Sequence, residues 1–178
     1  MRSSLEYCKT KFGDKPVIGA ELGIHLGDNA KDILENFPTL EKLCLIDHVI
    51  QDPIIELKKR WDKVEIHSNI TRLAANKYAD GYFDFVYIDA GHDFKNVMRD
   101  ILMWYPKIKQ GGVICGHDYI DEGLFGAEVI RAVDLFGEYS GGRIQKDSSK
   151  YKHEDNKDPL LDDINKWGIL YSDWWRDL

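Results

Sequence analysis

Several things are scarce in this sequence, and each shortage excludes something. No apolar run approaches the roughly 18–20 residues of a membrane span. The opening stretch, Met1-Arg-Ser-Ser-Leu-Glu-Tyr7, lacks the apolar segment of a signal peptide, so the expected compartment is the cytoplasm. Cysteine is limited to Cys8, Cys44 and Cys115. An odd number without metal-type spacing reads as free thiols, not as a disulfide framework. Positive charge is short too: 24 Lys plus Arg stand against 31 Asp plus Glu, a formal charge of −7. Nucleic-acid backbones and anionic membranes demand clustered positive charge, so neither is expected as the main partner. Two phosphate-binding signatures are missing as well. No Gly-x-x-x-x-Gly-Lys-Ser/Thr loop occurs, and the nearest approach to Gly-x-Gly-x-x-Gly carries His25 at its middle glycine.

What is present is globular. The chain has 178 residues, 43% apolar and 31% charged, which fits one domain at about 150 residues per domain and needs no staple to fold. Short apolar runs alternate with helical stretches. Runs at Val17–Leu22, Leu43–Ile46, Val64–His67, Phe83–Ile88 and Val113–Cys115 read as strands. Helices are expected from Asp28 to about Phe37, where Pro38 ends the run, and from Pro53 to about Trp61, where Asp52-Pro53 supplies a cap and a first-turn proline. Thr71–Tyr78 has helical composition. Phe94 to about Lys109 spaces Val97, Ile101, Met103, Trp104 and Ile108 helically, with Pro106 expected to kink or shorten the helix and a break at Gly111-Gly112. Glu122–Phe136 reads as a further helix. Beyond it lies a polar stretch with one strand near Arg143–Gln145, then a short helix over Pro159–Trp167 and a final strand over Gly168–Tyr171. Trp174-Trp175 forms an aromatic tail. Trp167, Trp174 and Trp175 read first as aromatics packed on a sheet edge or helix.

Alternating strands and helices argue for an α/β fold, a mostly parallel sheet with helices on both faces. Ligands of such sheets bind beyond the carboxyl ends of the strands, where strand order reverses. Five of the six histidines fall just after five successive predicted strands: His25, His48, His67, His92 and His117. A lone histidine at a strand end is usually a solvated loop residue, but His92 and His117 would meet if their strands were neighbours. Asp47 ends the second run, about 20 residues past the glycine-containing loop Gly23–Gly27, a placement suited to the two hydroxyls of a ribose. A helix-capping or loop aspartate is the alternative reading.

Glu21-Leu-Gly-Ile-His-Leu-Gly-Asp-Asn-Ala30 resembles the first motif of class I S-adenosylmethionine-dependent methyltransferases, and within them the O-methyltransferase pattern Glu-Ile-Gly-x-x-x-Gly-x-Ser-Ala. Phe83-Asp-Phe-Val-Tyr-Ile-Asp-Ala-Gly-His92, followed by Tyr105-Pro-Lys-Ile-Lys-Gln-Gly-Gly-Val-Ile-Cys-Gly-His-Asp-Tyr119, is similar to the fourth- and fifth-strand signature of small-molecule O-methyltransferases and their sugar-modifying relatives. The resemblance covers about residues 16–136, the cofactor core of a single domain spanning 1–178. It implies a Rossmann-like, doubly wound sheet of seven strands in three α/β/α layers. It implies S-adenosylmethionine as cofactor, with Glu21 and Gly23 around its methionine part and His25 nearby. Asn29 stands where the family usually has serine and would bond the methionine carboxylate. Asp47 would hold the ribose with His48 beside it, and Ser68, Asn69 and Ile70 would line the adenine pocket.

The same resemblance implies a divalent cation, magnesium or manganese, on Asp89, His117 and Asp118. It casts His92 as general base, where catechol O-methyltransferases have lysine, with Asp89 in the catalytic set. His117 departs from the oxygen ligands that magnesium prefers, which leaves a softer metal or a second base open. The implied reaction is O-methylation of a small hydroxylated molecule, a sugar or natural-product-like acceptor. Only about fifteen residues precede the first strand, so the cover of the site is expected from the 138–178 region or from a second subunit of a homo-oligomer. Two alternatives remain: a cofactor-binding regulatory or assembly subunit without chemistry, suggested by the aromatic tail, and a nicotinamide-dependent oxidoreductase, disfavoured by His25.

Overall fold

The computed structural model describes residues 1–120, 127–147 and 173–178. Thirteen elements follow one another: α1 (Ser3–Phe12), β1 (Val17–Leu22), α2 (Asp28–Asn36), β2 (Leu40–Asp47), α3 (Asp52–Arg60), β3 (Val64–Ser68), α4 (Thr71–Ala74), β4 (Phe83–Ile88), α5 (Phe94–Trp104), β5 (Ile108–Gly116), α6 (Glu128–Ser140), β6 (Gln145–Lys146) and β7 (Trp174–Asp177). The strands form one seven-stranded sheet in the order β3-β2-β1-β4-β5-β7-β6. β1 to β5 are mutually parallel, and β7 runs antiparallel to both β5 and β6. The expected Rossmann-like three-layer architecture is what the chain adopts.

Side-chain alternation along the strands builds the layers. Ala20, Leu22, Cys44, Ile46, Val86, Ile88 and Ile114 face one way and pack with Val97, Ile101 and Trp104 of α5 and Val129, Val133 and Phe136 of α6. Leu43, Leu45, Phe85, Tyr87, Val113 and Cys115 face the other way and pack with α1, α2 and α3 through Leu5, Cys8, Ile33 and Ile54. Each central strand is therefore buried on both faces, which is why its sequence reads as a continuous apolar run. All three cysteines are free and buried.

Several boundaries differ from those expected. The helix beginning at Phe94 ends at Trp104, and Tyr105–Lys107 is a 3-10 turn holding Pro106. Proline removes a helical donor there, so Ile108 starts a strand and does not extend the helix. Gly111 and Gly112 lie inside β5; they mark a shift of register against β4, with Gly111 at φ +80°. The backbone stays in the sheet because Gly111 donates to Leu178 and Leu178 donates to Gly112. The aromatic tail is β7. Trp174 is 1% exposed and Trp175, partly buried, meets the Tyr7 ring at a tilt, so the tail packs into the core. α6 runs on to Ser140. The strand expected near Arg143–Gln145 is β6. The elements expected over 159–167 and 168–171 lie outside the described residues.

The segment before β1 is a helix, α1, set against β5. It is clamped to the residue before β7. Asp173 accepts from the Ser4 amide at 3.0 Å, the Ser4 hydroxyl at 2.6 Å and the Tyr87 hydroxyl at 3.3 Å. Replacing Asp173 by alanine strands these buried donors. Urea denaturation of D173A should show a loss of about 1–3 kcal/mol, the cost of donors left unpaired.

Candidate active site

The chain turns from β1 toward β2 and β3 on one side and reaches β4 and β5 on the other. The carboxyl ends of β1 and β4 therefore flank the crevice where this sheet type binds ligands. Gly23 makes the seam between them. Its φ is +80°, and a Cβ there would lie 2.1 Å from the Asp89 carbonyl oxygen. Only glycine permits that approach. Asp89 donates its amide to Leu22, and His117 donates its amide to Ile88, so the end of each strand is pinned to its neighbour.

On the β1 side, Glu21 is 1% exposed. Its Oε1 accepts from Asn29 Nδ2 at 3.0 Å, while Glu21 Oε2 and Asn29 Oδ1 are buried without a hydrogen-bond partner among the described residues. Burial pushes the Glu21 carboxyl up to about 8, against the opposing hydrogen bond from Asn29. Asn29 therefore spends one amide hydrogen on Glu21 and keeps its second, together with an open carbonyl oxygen, for a ligand such as the carboxylate expected there.

Asp47 ends β2. One of its oxygens accepts from the Ile24 amide at 2.8 Å and the His25 amide at 3.4 Å; the other accepts from Val49 at 3.1 Å. Burial alone would raise its pKa, and these backbone donors outweigh that and hold it below the ordinary aspartate value. Asp47 thus fixes the β1 loop and still faces the cleft. His25 is exposed with φ +51°. His48 is 72% exposed and meets Asp47 at 3.0 Å. Ser68 pairs in register with Asp47, the Asn69 amide donates to Asp47 O at 2.8 Å, and Ile70 is an exposed apolar side chain next to them. The residues expected around ribose and adenine are therefore neighbours at the β2–β3 end.

The β4–β5 end holds the charge. His92 Nε2 lies 2.6 Å from Asp118 Oδ2 and 3.6 Å from Asp89 Oδ1, and His117 Nδ1 lies 3.2 Å from Asp118 Oδ1. β4 and β5 are neighbours, as the meeting of the two histidines required; they meet on Asp118. That aspartate sits at φ +58°, a conformation aspartate tolerates better than most residues. Burial opposes the imidazolium of His92, but its pairing with Asp118 and Asp89 wins and raises it to about 10. Burial likewise opposes the charge on Asp118, and His117 and His92 overcome it, holding Asp118 far below the usual carboxylate range. At this end, ligand-type atoms of Asp89, His92 and Asp118 lie within 4.8 Å of one another; Cys44, Glu65 and His67 form a second such group elsewhere among the described residues. The expected triad with His117 is not the one brought together. Ile88, Asp89, His92, Val97, His117 and Trp174 line a small recess at the cluster.

One residue was missed from the sequence. Arg2, just before α1, places Nη2 3.6 Å from Asp89 Oδ2 and its guanidinium 5.7 Å from the centre of the Tyr87 ring. The helical spacing of Leu5, Cys8 and Phe12 carried the signal for α1, and with it for the residue ahead of it.

The decisive comparison is with known sequences. The methyltransferase-domain family matches residues 21–119. The chain belongs to that family. No curated protein matches it significantly. Among solved structures it is similar to the 1,6-didemethyltoxoflavin-N1-methyltransferase of Burkholderia thailandensis with its substrate and S-adenosylhomocysteine bound, at 11% identity and TM-score 0.66, covering 98% of this chain and 78% of that one. It is similar to a SAM-dependent methyltransferase of Archaeoglobus fulgidus (12%, TM-score 0.62, 98% and 94% covered). It is also similar to an rRNA methylase of Streptococcus thermophilus (10%, TM-score 0.60, 98% and 93% covered). These likenesses establish the fold, that of S-adenosylmethionine-dependent methyltransferases.

Glu21 gives this methyltransferase domain a pH signature. Its folded pKa lies above the ordinary 4.5. The stability tied to its proton is fully present below pH 4.5 and is lost as pH rises through about 8. E21Q removes that dependence. Between pH 5 and pH 9 the variant should gain about 2–4 kcal/mol relative to wild type in urea denaturation.

Proposed function

We propose that this domain transfers the methyl group of S-adenosylmethionine to a hydroxyl oxygen of a small acceptor, a sugar or natural-product-like molecule. The observation that carries this reading is the Asp89–His92–Asp118 cluster, set beside the cofactor-type loop with a small recess at it. The cofactor fits the residues present. The orphaned Glu21 Oε2 offers a buried acceptor to its ammonium once the carboxyl has given up its proton, and the Asp47 carboxylate, held by backbone amides, offers acceptors to its ribose. Bound there, S-adenosylmethionine supplies an electrophilic methyl on a sulfonium.

The chain's own residues then have two tasks. Most of the rate comes from holding the acceptor oxygen in line with that methyl. The rest comes from removing a proton. As oxygen gains the methyl, its own proton must leave, and we assign its removal to His92 in the fraction of molecules where Nε2 has given up its proton and its bond to Asp118. At neutral pH His92 holds a proton already, since Asp118 and Asp89 raise it to about 10. A cation arriving beside Asp89 weakens that hold, and the fraction of neutral imidazole still grows with pH.

A second reading has its own observation. Asp89, His92 and Asp118 bring two oxygens and one nitrogen within 4.8 Å, a donor set that suits manganese, iron or zinc better than magnesium. A divalent ion held there would lower the pKa of an acceptor hydroxyl. No nucleic acid or membrane is part of the proposal. Among the described residues no helix is long and apolar enough to cross a membrane. The regulatory-subunit alternative drew on a short N-terminal segment and an exposed aromatic tail; Trp174 is buried and Trp175 partly buried, which takes away the second of these supports.

Calorimetric titration should show binding of S-adenosylmethionine and S-adenosylhomocysteine, weakened about tenfold or more in D47A by the lost ribose bonds. With an acceptor in hand, kcat/KM should climb from pH 6 toward pH 9, and H92Q should flatten the climb and cost about 10²–10⁴-fold. Full activity in chelator supports His92 as base. Loss in chelator with recovery on Mn²⁺ supports the ion. Absence of cofactor binding sinks both.

A further inference from the structure

We propose that Arg2 holds the carboxylate of the cofactor's methionine portion, so that the segment ahead of β1 is part of the cofactor site. The inference rests on the cofactor reading above and adds a residue to it.

The methionine portion carries an ammonium and a carboxylate on one carbon. An acidic pair suits the first: Glu21 with its open Oε2, and Asp89 across the Gly23 seam. The second needs a donor. Asn29, the residue expected to provide it, has one amide hydrogen committed to Glu21 and can add only its second, a single neutral donor. Arg2 is the cation that the described residues place against this cluster. Its Nη2 reaches Asp89 at 3.6 Å, beyond a good hydrogen bond, so the pair is a loose one. Its Nη1 is buried and has no hydrogen-bond partner among the described residues.

An arginine carries five donors in a planar fork that matches a carboxylate. A buried donor of that kind without an acceptor is a cost that native structures avoid unless something fills it. The surroundings also fix where the guanidinium stays. Tyr87 lies beneath it, and the charges of Asp89, Asp173 and Asp118 raise its pKa against the effect of burial, so it is cationic at every relevant pH. Its charge is felt at Glu21, which it draws toward ionisation. Arg2 therefore sits beside Asp89, across the Gly23 seam from Glu21, where it can take the carboxylate while the two acids take the ammonium. The Ser4–Asp173 clamp, two residues further on, sets its position.

The test separates the carboxylate from the rest of the cofactor. Three probes are titrated calorimetrically: S-adenosylmethionine, decarboxylated S-adenosylmethionine, which lacks only the carboxylate, and 5′-methylthioadenosine, which lacks the whole amino acid. Wild type should prefer the first over the second by about 10- to 100-fold, the worth of a charge-assisted pair. R2Q should lose that preference while its affinity for the other two probes stays unchanged, and R2K should keep part of it. Unchanged binding of 5′-methylthioadenosine shows that R2Q is folded. If R2Q keeps the preference, or weakens all three probes alike, Arg2 does not hold the carboxylate and the proposal is overturned. If wild type binds none of the three, the cofactor reading fails and the proposal with it.

Discussion

Two carboxylates at the ends of adjacent parallel strands, Asp89 after β4 and Asp118 after β5, must be neutralised before this sheet can close its carboxyl edge. Removing like charges from water costs several kcal/mol each unless partners are supplied. The chain supplies them from both sides. His92 and His117 reach Asp118, and Arg2 reaches Asp89 from the opposite face. The rest of the site follows from this balance. His92 is protonated because two acids need it, and Asp118 ionises easily because two imidazoles surround it. A site held by its own cations is also one that an incoming cation, sulfonium or metal, can rearrange.

The fold was legible because its signals are local. Apolar runs bounded by acids and glycines marked β1 to β5, and Asp52-Pro53 marked the start of α3. Periodicity misled where two elements abut without a loop. Ile108 continues the helical spacing of α5 yet opens β5, because only the short turn Tyr105–Lys107 around Pro106 separates them. Gly111-Gly112 looked like a break, but its irregularity is absorbed as a register shift against β4. What no local signal could reveal is long-range pairing. Trp174-Trp175 gave no hint that it would run antiparallel between β5 and β6.

The candidate site divides in the same way. Asp47, Asp89, His92 and Asp118 were legible because they sit at fixed distances from strand ends, and the topology then gathers them. The substitution of His92 for His117 in the triad depends on side-chain direction: His92 reaches both acids, and strand ends alone do not set that. Arg2 was illegible for a different reason. It reaches the cluster through a helix that lies across the sheet, and its contact with Asp89 joins residues far apart in sequence.

The clamp between Ser4 and Asp173 closes a separation of 169 residues. Closing so long a loop costs chain entropy that only an assembled sheet can offset. The clamp therefore depends on the assembled sheet, and the seat of Arg2, two residues ahead of Ser4, depends on it too. The charge balance at the carboxyl edge is in this way tied, through a single aspartate, to a segment at the far end of the chain.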